Sequence, residues 1–108
     1  MVYVSLEDFY EKAGRCSRLT REEEIECAKR MNAGDEEARQ MLIDSYTSLV
    51  AGRIQRAKPH MQNLGLVVYC MHALNRAVDS FNFLQDSETF THRLSWCLRQ
   101  AFADYLVK

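Results

Sequence analysis

One aromatic residue near the end of the chain has neighbours that could bind a nucleic-acid base. Trp96 is the only tryptophan in the 108 residues, and helical periodicity places it on one face with His92, Arg99 and Gln100. An indole can stack on a base while a guanidinium and an amide bind phosphates or base edges. The alternative is a tryptophan that a neighbouring helix partly covers, because large aromatic side chains are buried on average. The sequence pattern leaves both interpretations open.

No pattern typical of catalysis or metal binding accompanies this tryptophan. His60, His72 and His92 lack the spacing of metal ligands, and Cys70 and His72, two residues apart in a predicted helix, point to different faces. The glutamates between residues 22 and 26 are typical of a solvated helix start. The sequence has neither a glycine-rich phosphate loop nor a nucleophile elbow. We therefore expect no enzymatic activity, no metal and no cofactor.

Charge and hydropathy narrow the possible partners and the location. The formal net charge is −1, with seven Lys/Arg and eleven Asp/Glu in residues 1–47 but seven and four in residues 48–108. Proteins that bind duplex DNA on their own usually have a strongly basic surface. We therefore expect this chain to bind duplex DNA weakly. No run approaches the roughly 18 apolar residues of a membrane span, and the N-terminus lacks a signal-peptide pattern. We therefore expect a cytoplasmic protein with no membrane partner.

The four cysteines are scattered along the chain, and none is in a C-x-x-C pair. They are expected to be free thiols in or near the core.

Helical periodicity and the scarcity of turn residues predict the elements that position these side chains. The chain has one proline and four glycines, and no strand-like alternation of any length. The prediction is an all-α fold, a compact bundle of four to five helices in one domain over 1–108, with an N-terminal helical subregion (1–34) and core helices (35–108). The helices are expected over about 5–14, 21–31, 36–58, 62–81 and from residue 87 to about 106.

Capping residues mark the predicted helix ends. The expected N-caps are Ser5, Thr20 (in a capping box with Glu23), Asp35 and Ser87. The expected ends are Gly14, the Asn32–Gly34 segment and Pro59, since the residue before proline is disfavoured in a helix. A polar break is expected over 82–86. The predicted inward face of the last helix consists of Phe90, Leu94, Cys97, Leu98, Ala101 and Tyr105.

Three colinear segments resemble a known family. The segments Leu19–Arg39, Asn75–Asn82 and Phe90–Ala101, in that order and spacing, are similar to the N-terminal half of housekeeping-type (sigma-70) sigma factors of bacterial RNA polymerase. The short Phe9–Arg15 segment also matches the helix that precedes the first of these segments in the family. The resemblance spans essentially the whole chain and implies a fold similar to sigma factor region two, with a role in transcription initiation.

The resemblance implies two partners and a set of contact residues. In the family, the helix that carries the Arg-Ala-Val-Asp motif docks on the clamp helices of the largest polymerase subunit. The following helix lies on the promoter −10 element, where aromatic residues stack on a base flipped from the non-template strand. The residues expected to contact polymerase are Val68, Tyr69, His72, Asn75 and Arg76. Those expected to contact DNA are His92, Arg93, Trp96, Arg99 and Gln100.

Several positions depart from the family pattern. The docking helix usually starts with an acidic, polar stretch, whereas residues 65–71 of this chain are mostly apolar. Arg93 occupies the place of the base-stacking tyrosine, and Cys97 that of the second tryptophan. Asp104 replaces a basic residue and would repel phosphate. The family's later domains, which read the −35 element, lie outside this sequence, so we expect either a fragment or a truncated sigma-like protein.

Two hypotheses follow from the resemblance and its departures. The first is a minimal working sigma domain that binds core RNA polymerase and the −10 element. The second is a degenerate sigma-like regulator or interaction module that does not melt DNA and binds polymerase, another sigma-related protein or a second copy of itself.

Two further charged groups have simple structural interpretations. Arg76 and Asp79, three residues apart, are expected to form a surface ion pair. Arg53, Arg56 and Lys58 are expected to be a solvated helix end that the helix dipole favours, although they could also touch phosphates or polymerase.

Overall fold

The computed structural model describes residues 3–16, 18–84 and 90–107, and within them it contains five α-helices and no strand. The helices are α1 (Leu6–Arg15), α2 (Arg21–Asn32), α3 (Glu36–Gln55), α4 (Leu64–Ser80) and α5 (Phe90–Val107), with a 3₁₀ turn at Pro59–Met61. The predicted all-α bundle is therefore confirmed. No helix in these residues is both long and apolar enough to cross a bilayer.

Side-chain caps fix the starts of the first three helices as predicted. Ser5 Oγ accepts a hydrogen bond from the Asp8 backbone N–H, and Thr20 and Glu23 form the reciprocal capping box. Asp35 accepts from two backbone N–H groups of α3. Gly34 adopts a φ of 96° and lets the chain turn from α2 into Asp35. The predicted cap Ser87 lies outside the described residues.

The predicted ends of α1, α3 and α4 need correction. α1 continues through Gly14, because the Cys16 backbone N–H and Sγ bond to carbonyls of its last turn. α3 ends at Gln55, not near Lys58, which is extended before Pro59. The Gln62 amide, predicted to lie in α4, instead donates to the carbonyls of Gln55 and Ala57. α4 begins at Leu64, after the cap Asn63, and Phe81 is its extended C-cap.

α3 lies at the centre of the fold and packs against α1, α2 and α4, whereas α5 packs mainly on α4. An aromatic cluster joins the middle of α3 to the start of α5. In it the Tyr46 ring lies 4.6 Å from the Phe90 ring, which lies 5.3 Å from Phe81 and 5.0 Å from Phe83. The cluster therefore fixes the first turn of the helix that carries Trp96.

All four cysteines are free thiols in or near the core, as predicted. Cys27 and Cys70 are buried, and Cys16 and Cys97 are half-buried. Burial raises the pKa of the Cys70 thiol to about 12, so this group is an apolar packing residue at neutral pH.

Candidate nucleic-acid and polymerase interface

Helical phase turns the polar residues of α5 away from the core. Phe90, Leu94, Leu98 and Ala101 are buried and form the inward face. Cys97 and Tyr105, which were also predicted for this face, lie at its half-buried edge. Because α5 is supported mainly from the α4 side, its other side is open to solvent.

The outward face of α5 carries the tryptophan and three of its predicted neighbours. Trp96 is 59% exposed, and His92, Arg99 and Gln100 are exposed as well. The indole of Trp96 is therefore largely exposed, as the helical phase predicts, and does not pack in the interior. Large aromatic groups that stay in solvent commonly mark contact surfaces.

Arg93 does not share this outward face. It is half-buried, and its guanidinium carbon lies 5.8 Å from the centre of the Phe81 ring, where α4 ends. A guanidinium at this distance over an aromatic ring is attracted by the ring's negative face. Arg93 is thus placed between α5 and α4 and not beside Trp96 on the solvent side.

On α4, the five residues expected to contact polymerase divide into two groups. Val68, His72 and Arg76 are exposed and lie four residues apart, so they form one row along the helix. Tyr69 is half-buried, with its ring 5.5 Å from that of Tyr105 in an edge-to-face contact. Asn75 is also half-buried. It accepts a hydrogen bond from Arg39 of α3 and donates one to the Met71 carbonyl.

A groove of about 970 Å³ runs between α4 and α5 and joins the two predicted sites. The exposed row of α4 forms one wall, and Trp96, Gln100 and Asp104 stand on the opposite wall. Small side chains form its floor: Ala73, Ala77, Cys97 and Ala101. The groove exists because these small residues let the larger side chains on either side stand above them.

Contacts at both ends establish that α4 and α5 run antiparallel. At one end the Tyr105 hydroxyl donates to Asn63 Oδ1 over 2.8 Å, and a Cβ at Gly65 would lie 3.1 Å from the Tyr105 ring. At the other end Arg93 lies over Phe81. Counted at 1.5 Å per residue from these two contacts, the level of Trp96 falls between His72 and Val78, so Arg76 lies within about 6 Å of it along the helix axes.

The charges along the groove are unequally distributed. Arg76 and Arg93 lie at the Trp96 end, and Asp104 lies about 12 Å farther along α5. Asp79 also lines the Trp96 end, but Arg39 binds its carboxylate with nitrogen–oxygen distances of 2.7 and 2.9 Å. This hydrogen bond lowers the pKa of Asp79 below its ordinary value. The surface ion pair predicted between Arg76 and Asp79 is therefore wrong, because the partner of Asp79 is on α3.

A second, smaller groove of about 360 Å³ lies on the other side of α4, against α3 and Tyr3. Val68 and His72 border both grooves. These two side chains therefore form a ridge with a groove on each side. A ridge of this shape suits contact with a pair of packed helices.

Arg53 and Ser95 form a contact near the site that the sequence did not predict. The Arg53 guanidinium, at the end of α3, donates to Ser95 Oγ over 2.7 Å and ties α3 to the residue before Trp96. Arg53 is thus not simply part of a solvated helix end. A polar serine one position from the inward face of α5 was the only signal in the sequence for this contact.

The buried polar pair of the fold was also missed by the sequence analysis. Glu24 is only 8% exposed, and its carboxylate accepts a 2.7 Å hydrogen bond from the Tyr46 hydroxyl. Burial, together with this bond to an acid, raises the pKa of Tyr46 to about 12. The Arg18 guanidinium lies over the same ring, 4.9 Å from its centre. Glu24 therefore belongs to the interior and not to the solvated start of α2.

No group of three or more histidine, cysteine, aspartate or glutamate side chains within the described residues could hold a metal ion. The polar side chains that line the larger groove include an indole, two guanidinium groups, an imidazole, an amide and the carboxylates of Asp79 and Asp104. Such groups bind and orient partners by stacking, hydrogen bonds and charge.

Comparisons with known proteins agree with the resemblance of the sequence segments. Residues 12–37 match the model of the family described as Sigma-70 factor, region 1.2. The chain is 34% identical over 94 residues to the RNA polymerase sigma factor SigA of Listeria monocytogenes and, equally, to that of Listeria innocua. These matches cover 86% of this chain but 25% of each relative, so the chain spans about a quarter of their length. No solved structure matches the chain significantly.

Proposed function

We propose, from its similarity to the housekeeping, sigma-70-type sigma factors of bacterial RNA polymerase, that the chain acts in transcription initiation. In this proposal the outward face of α5 binds the non-template strand of the promoter −10 element. The exposed ridge of α4 docks on the clamp helices of the largest subunit of core RNA polymerase. The protein performs no catalysis of its own and works in the cytoplasm.

The observation that carries the proposal is the exposed indole of Trp96 among groups that bind nucleic acid. Arg99 and Gln100 are exposed on the same helix face, and His92 lies one turn before Trp96. Stacking a base on an aromatic side chain contributes roughly 1–3 kcal/mol per base and so offsets the cost of unstacking that base. With a net charge of −1, the domain lacks the basic surface that would hold duplex DNA tightly.

The polymerase surface of this proposal is the ridge of Val68 and His72 with Tyr69 beside it. Val68 is 54% exposed, which is unusual for a valine in the middle of a helix of a packed bundle. Asn75 supports this surface from below, because Arg39 holds its side chain. Arg76 stands at the end of the ridge nearest Trp96.

The alternative is a sigma-like regulator that binds a protein partner without melting DNA. The exposed Val68 favours it, because an apolar ridge replaces the acidic stretch found in the family. Asp104 in the groove favours it as well, since a carboxylate opposes a phosphate strand. The partner in this case is polymerase, another sigma-related protein or a second copy of this chain.

Single-stranded DNA binding by Trp96 variants tests the proposal. Fluorescence anisotropy with a labelled oligonucleotide of a −10 element should show roughly 5- to 100-fold weaker binding for Trp96→Ala and a smaller loss for Trp96→Phe. The matched control is Leu106→Ala, which removes an exposed apolar side chain, 63% exposed, from the same helix. No binding by the parent protein, or equal binding by Trp96→Ala, would contradict a DNA role for this face.

Capture of core RNA polymerase by the immobilised protein tests the proposal that the α4 ridge docks on polymerase. Val68→Glu should reduce capture by placing a charge on the ridge, whereas Val4→Glu, at a site 83% exposed and outside both grooves, should not. If the parent protein captures polymerase through Val68 but does not bind single-stranded DNA, the result would favour the regulator over the working sigma domain. If both variants capture polymerase equally well, the ridge does not contact polymerase.

A further inference from the structure

Four exposed side chains stand at the corners of the groove between α4 and α5. Val68 and Arg76 lie eight residues apart on α4, and Trp96 and Asp104 lie eight residues apart on α5. Each pair is therefore separated by about 12 Å along its helix. Packed helices lie roughly 8–10 Å apart. The four corners thus enclose a nearly square patch above the floor of small side chains.

The antiparallel alignment of the two helices decides which corners are neighbours. Trp96 lies at the Arg76 end of the groove, and Asp104 lies at the Val68 end. Counted at 1.5 Å per residue from the contacts at both ends of the helices, Val68 lies within about 6 Å of the level of Asp104. The apolar corners, Val68 and Trp96, therefore lie on one diagonal of the patch, and the charged corners lie on the other.

Neither charged corner is engaged elsewhere in the described part of the chain. Arg76 and Asp104 are exposed, and no hydrogen bond or ion pair joins either side chain to another described residue. The carboxylate of Asp79, three residues from Arg76, is already bound by Arg39 through two nitrogen atoms. Both corner charges are thus available to a partner.

The pattern of corners is complementary to itself under one twofold rotation. When the axis runs along the apolar diagonal, a second copy placed face to face brings its Asp104 to Arg76 and its Arg76 to Asp104, and each apolar corner meets its own counterpart. An axis along the charged diagonal would pair like charges, and axes along or across the groove would place apolar corners on charged ones. Most homo-oligomers are twofold dimers with interfaces of this self-complementary kind. Charge complementarity therefore selects a second copy of the chain and its orientation.

We propose that two copies of this chain associate through the α4–α5 groove, with the twofold axis along the Val68–Trp96 diagonal and two Arg76–Asp104 ion pairs between the copies. The patch is only two helices wide, so the dimer is weak compared with interfaces that bury roughly 1,200–2,000 Å². The dimer covers the indole and the α4 ridge. If the proposed function holds, association therefore withdraws the protein from DNA and polymerase as its concentration rises.

Charge reversals at the two corners test this arrangement by sedimentation equilibrium over a range of protein concentrations. Arg76→Glu creates two carboxylate pairs in the interface and Asp104→Arg creates two guanidinium pairs, so each variant should self-associate roughly 10- to 100-fold more weakly than the parent. In a mixture of the two variants, opposite charges meet again at both contacts. The mixed dimer, followed through a fluorescent label on one variant, should form within about threefold of the parent affinity.

The matched controls are Lys29→Glu and Glu26→Arg. They reverse the same charges at exposed positions on α2, which lines neither wall of the groove. Each control should self-associate as the parent does, and mixing the two should add nothing. Circular dichroism of every variant checks that the helices are intact.

The emission of Trp96, the only tryptophan, reports which face forms the dimer. It should shift to shorter wavelength as the parent is concentrated, because the indole leaves water. In the same concentration range, the apparent affinity of the parent for single-stranded −10 DNA should fall. Equal affinity across that range would overturn the competition between dimer and DNA.

Three results would overturn the dimer itself. The first is a parent protein that stays monomeric at roughly millimolar concentration, and the second is a mixture that associates no better than either variant alone. The third is a dimer whose formation leaves the Trp96 emission unchanged, because it would use another face. These measurements contain neither DNA nor polymerase, so their failure leaves the proposed function standing.

Discussion

The α2–α3 pair and the α4–α5 pair use their polar residues in opposite ways. In the first pair, polar groups bond within the protein. Thr20 and Glu23 cap α2, Asp35 caps α3, and Glu24 accepts a hydrogen bond from Tyr46 in the interior. In the second pair, Trp96 and its polar neighbours on α5 face solvent across a groove from the exposed row of α4.

The difference shows that residue type alone does not separate structural from functional residues. A glutamate in an acidic run would ordinarily be solvated, yet Glu24 is buried, and a tryptophan would ordinarily be buried, yet Trp96 is exposed. The position of a residue on its helix and its hydrogen-bond partners separate structural residues from residues available for binding. We therefore expect substitutions in the first region to affect folding and those on the outer face of α5 to affect binding.

Substitutions on the two faces of α5 should differ most in how much they lower the free energy of unfolding. Leu98→Ala should lower the free energy of unfolding by about 2–5 kcal/mol, because Leu98 is fully buried and its loss leaves a cavity. Trp96→Ala should change it by less than about 0.5 kcal/mol, as most exposed substitutions do. Urea denaturation of the two variants measures both values. Equal losses would mean that the indole contributes to the core.

The next largest effect concerns the buried pair of Tyr46 and Glu24. Tyr46→Phe should cost about 1–3 kcal/mol, because the buried Glu24 carboxylate loses its donor. Tyr10→Phe is the matched control, since its buried hydroxyl has no hydrogen-bond partner in the described part of the chain, and should be neutral or slightly stabilising. A comparable loss of denaturation free energy in both variants would rule out the bond to Glu24 as the cause.

The Tyr46 pair also predicts how stability responds to alkali. The folded state raises the pKa of Tyr46 from 10.0 to about 12, so unfolded Tyr46 ionises first as the pH rises. Its contribution is complete below pH 10 and is lost as the pH approaches about 12. Tyr46→Phe should therefore reduce the loss of stability between these pH values, which denaturation at pH 9 and pH 11 would measure.

The smallest expected effect is an acid-sensitive contact between α3 and α4. The hydrogen bond from Arg39 lowers the pKa of Asp79 below 3.8, so its contribution is present above that pH and is lost as the pH falls through the folded-state pKa. Because the carboxylate is half exposed, the contribution should be about 0.2–1 kcal/mol. The loss of stability between pH 6 and pH 3 should be smaller in Asp79→Asn than in the parent. An identical loss would show that the contact does not stabilise the fold.

The sequence predicts the helices well because their starts depend on local chemistry. Thr20, with Glu23, caps α2, and Asp35 caps α3, each through backbone groups three or fewer residues away. The identity and spacing of these residues are therefore enough to predict where the two helices begin. The end of α3 was predicted less well, because Gln62, seven residues beyond Gln55, folds back to bond the last carbonyls. A contact of this kind depends on tertiary structure and leaves no periodic signal.

The outward position of Trp96 was also predictable, since one helical period fixes which residues of α5 share a face. The groove was not, because it depends on the antiparallel alignment of α4 with α5 and on the small residues between them. Neither was the pairing of Asp79 with Arg39, which lie forty residues apart. Long-range partners decide which charges remain available to a ligand, and here they leave Arg76 available and engage Asp79.

The intrinsic fluorescence of the protein reports directly on base stacking by the α5 face, because Trp96 is its only tryptophan. The parent is titrated at physiological salt with a single-stranded −10 oligonucleotide and, separately, with a duplex of the same sequence. Stacking on the exposed indole should produce saturable quenching by the single strand and little quenching by the duplex. Unchanged fluorescence with the single strand, or equal quenching by the duplex, would contradict the assignment of the α5 face to an unpaired promoter base.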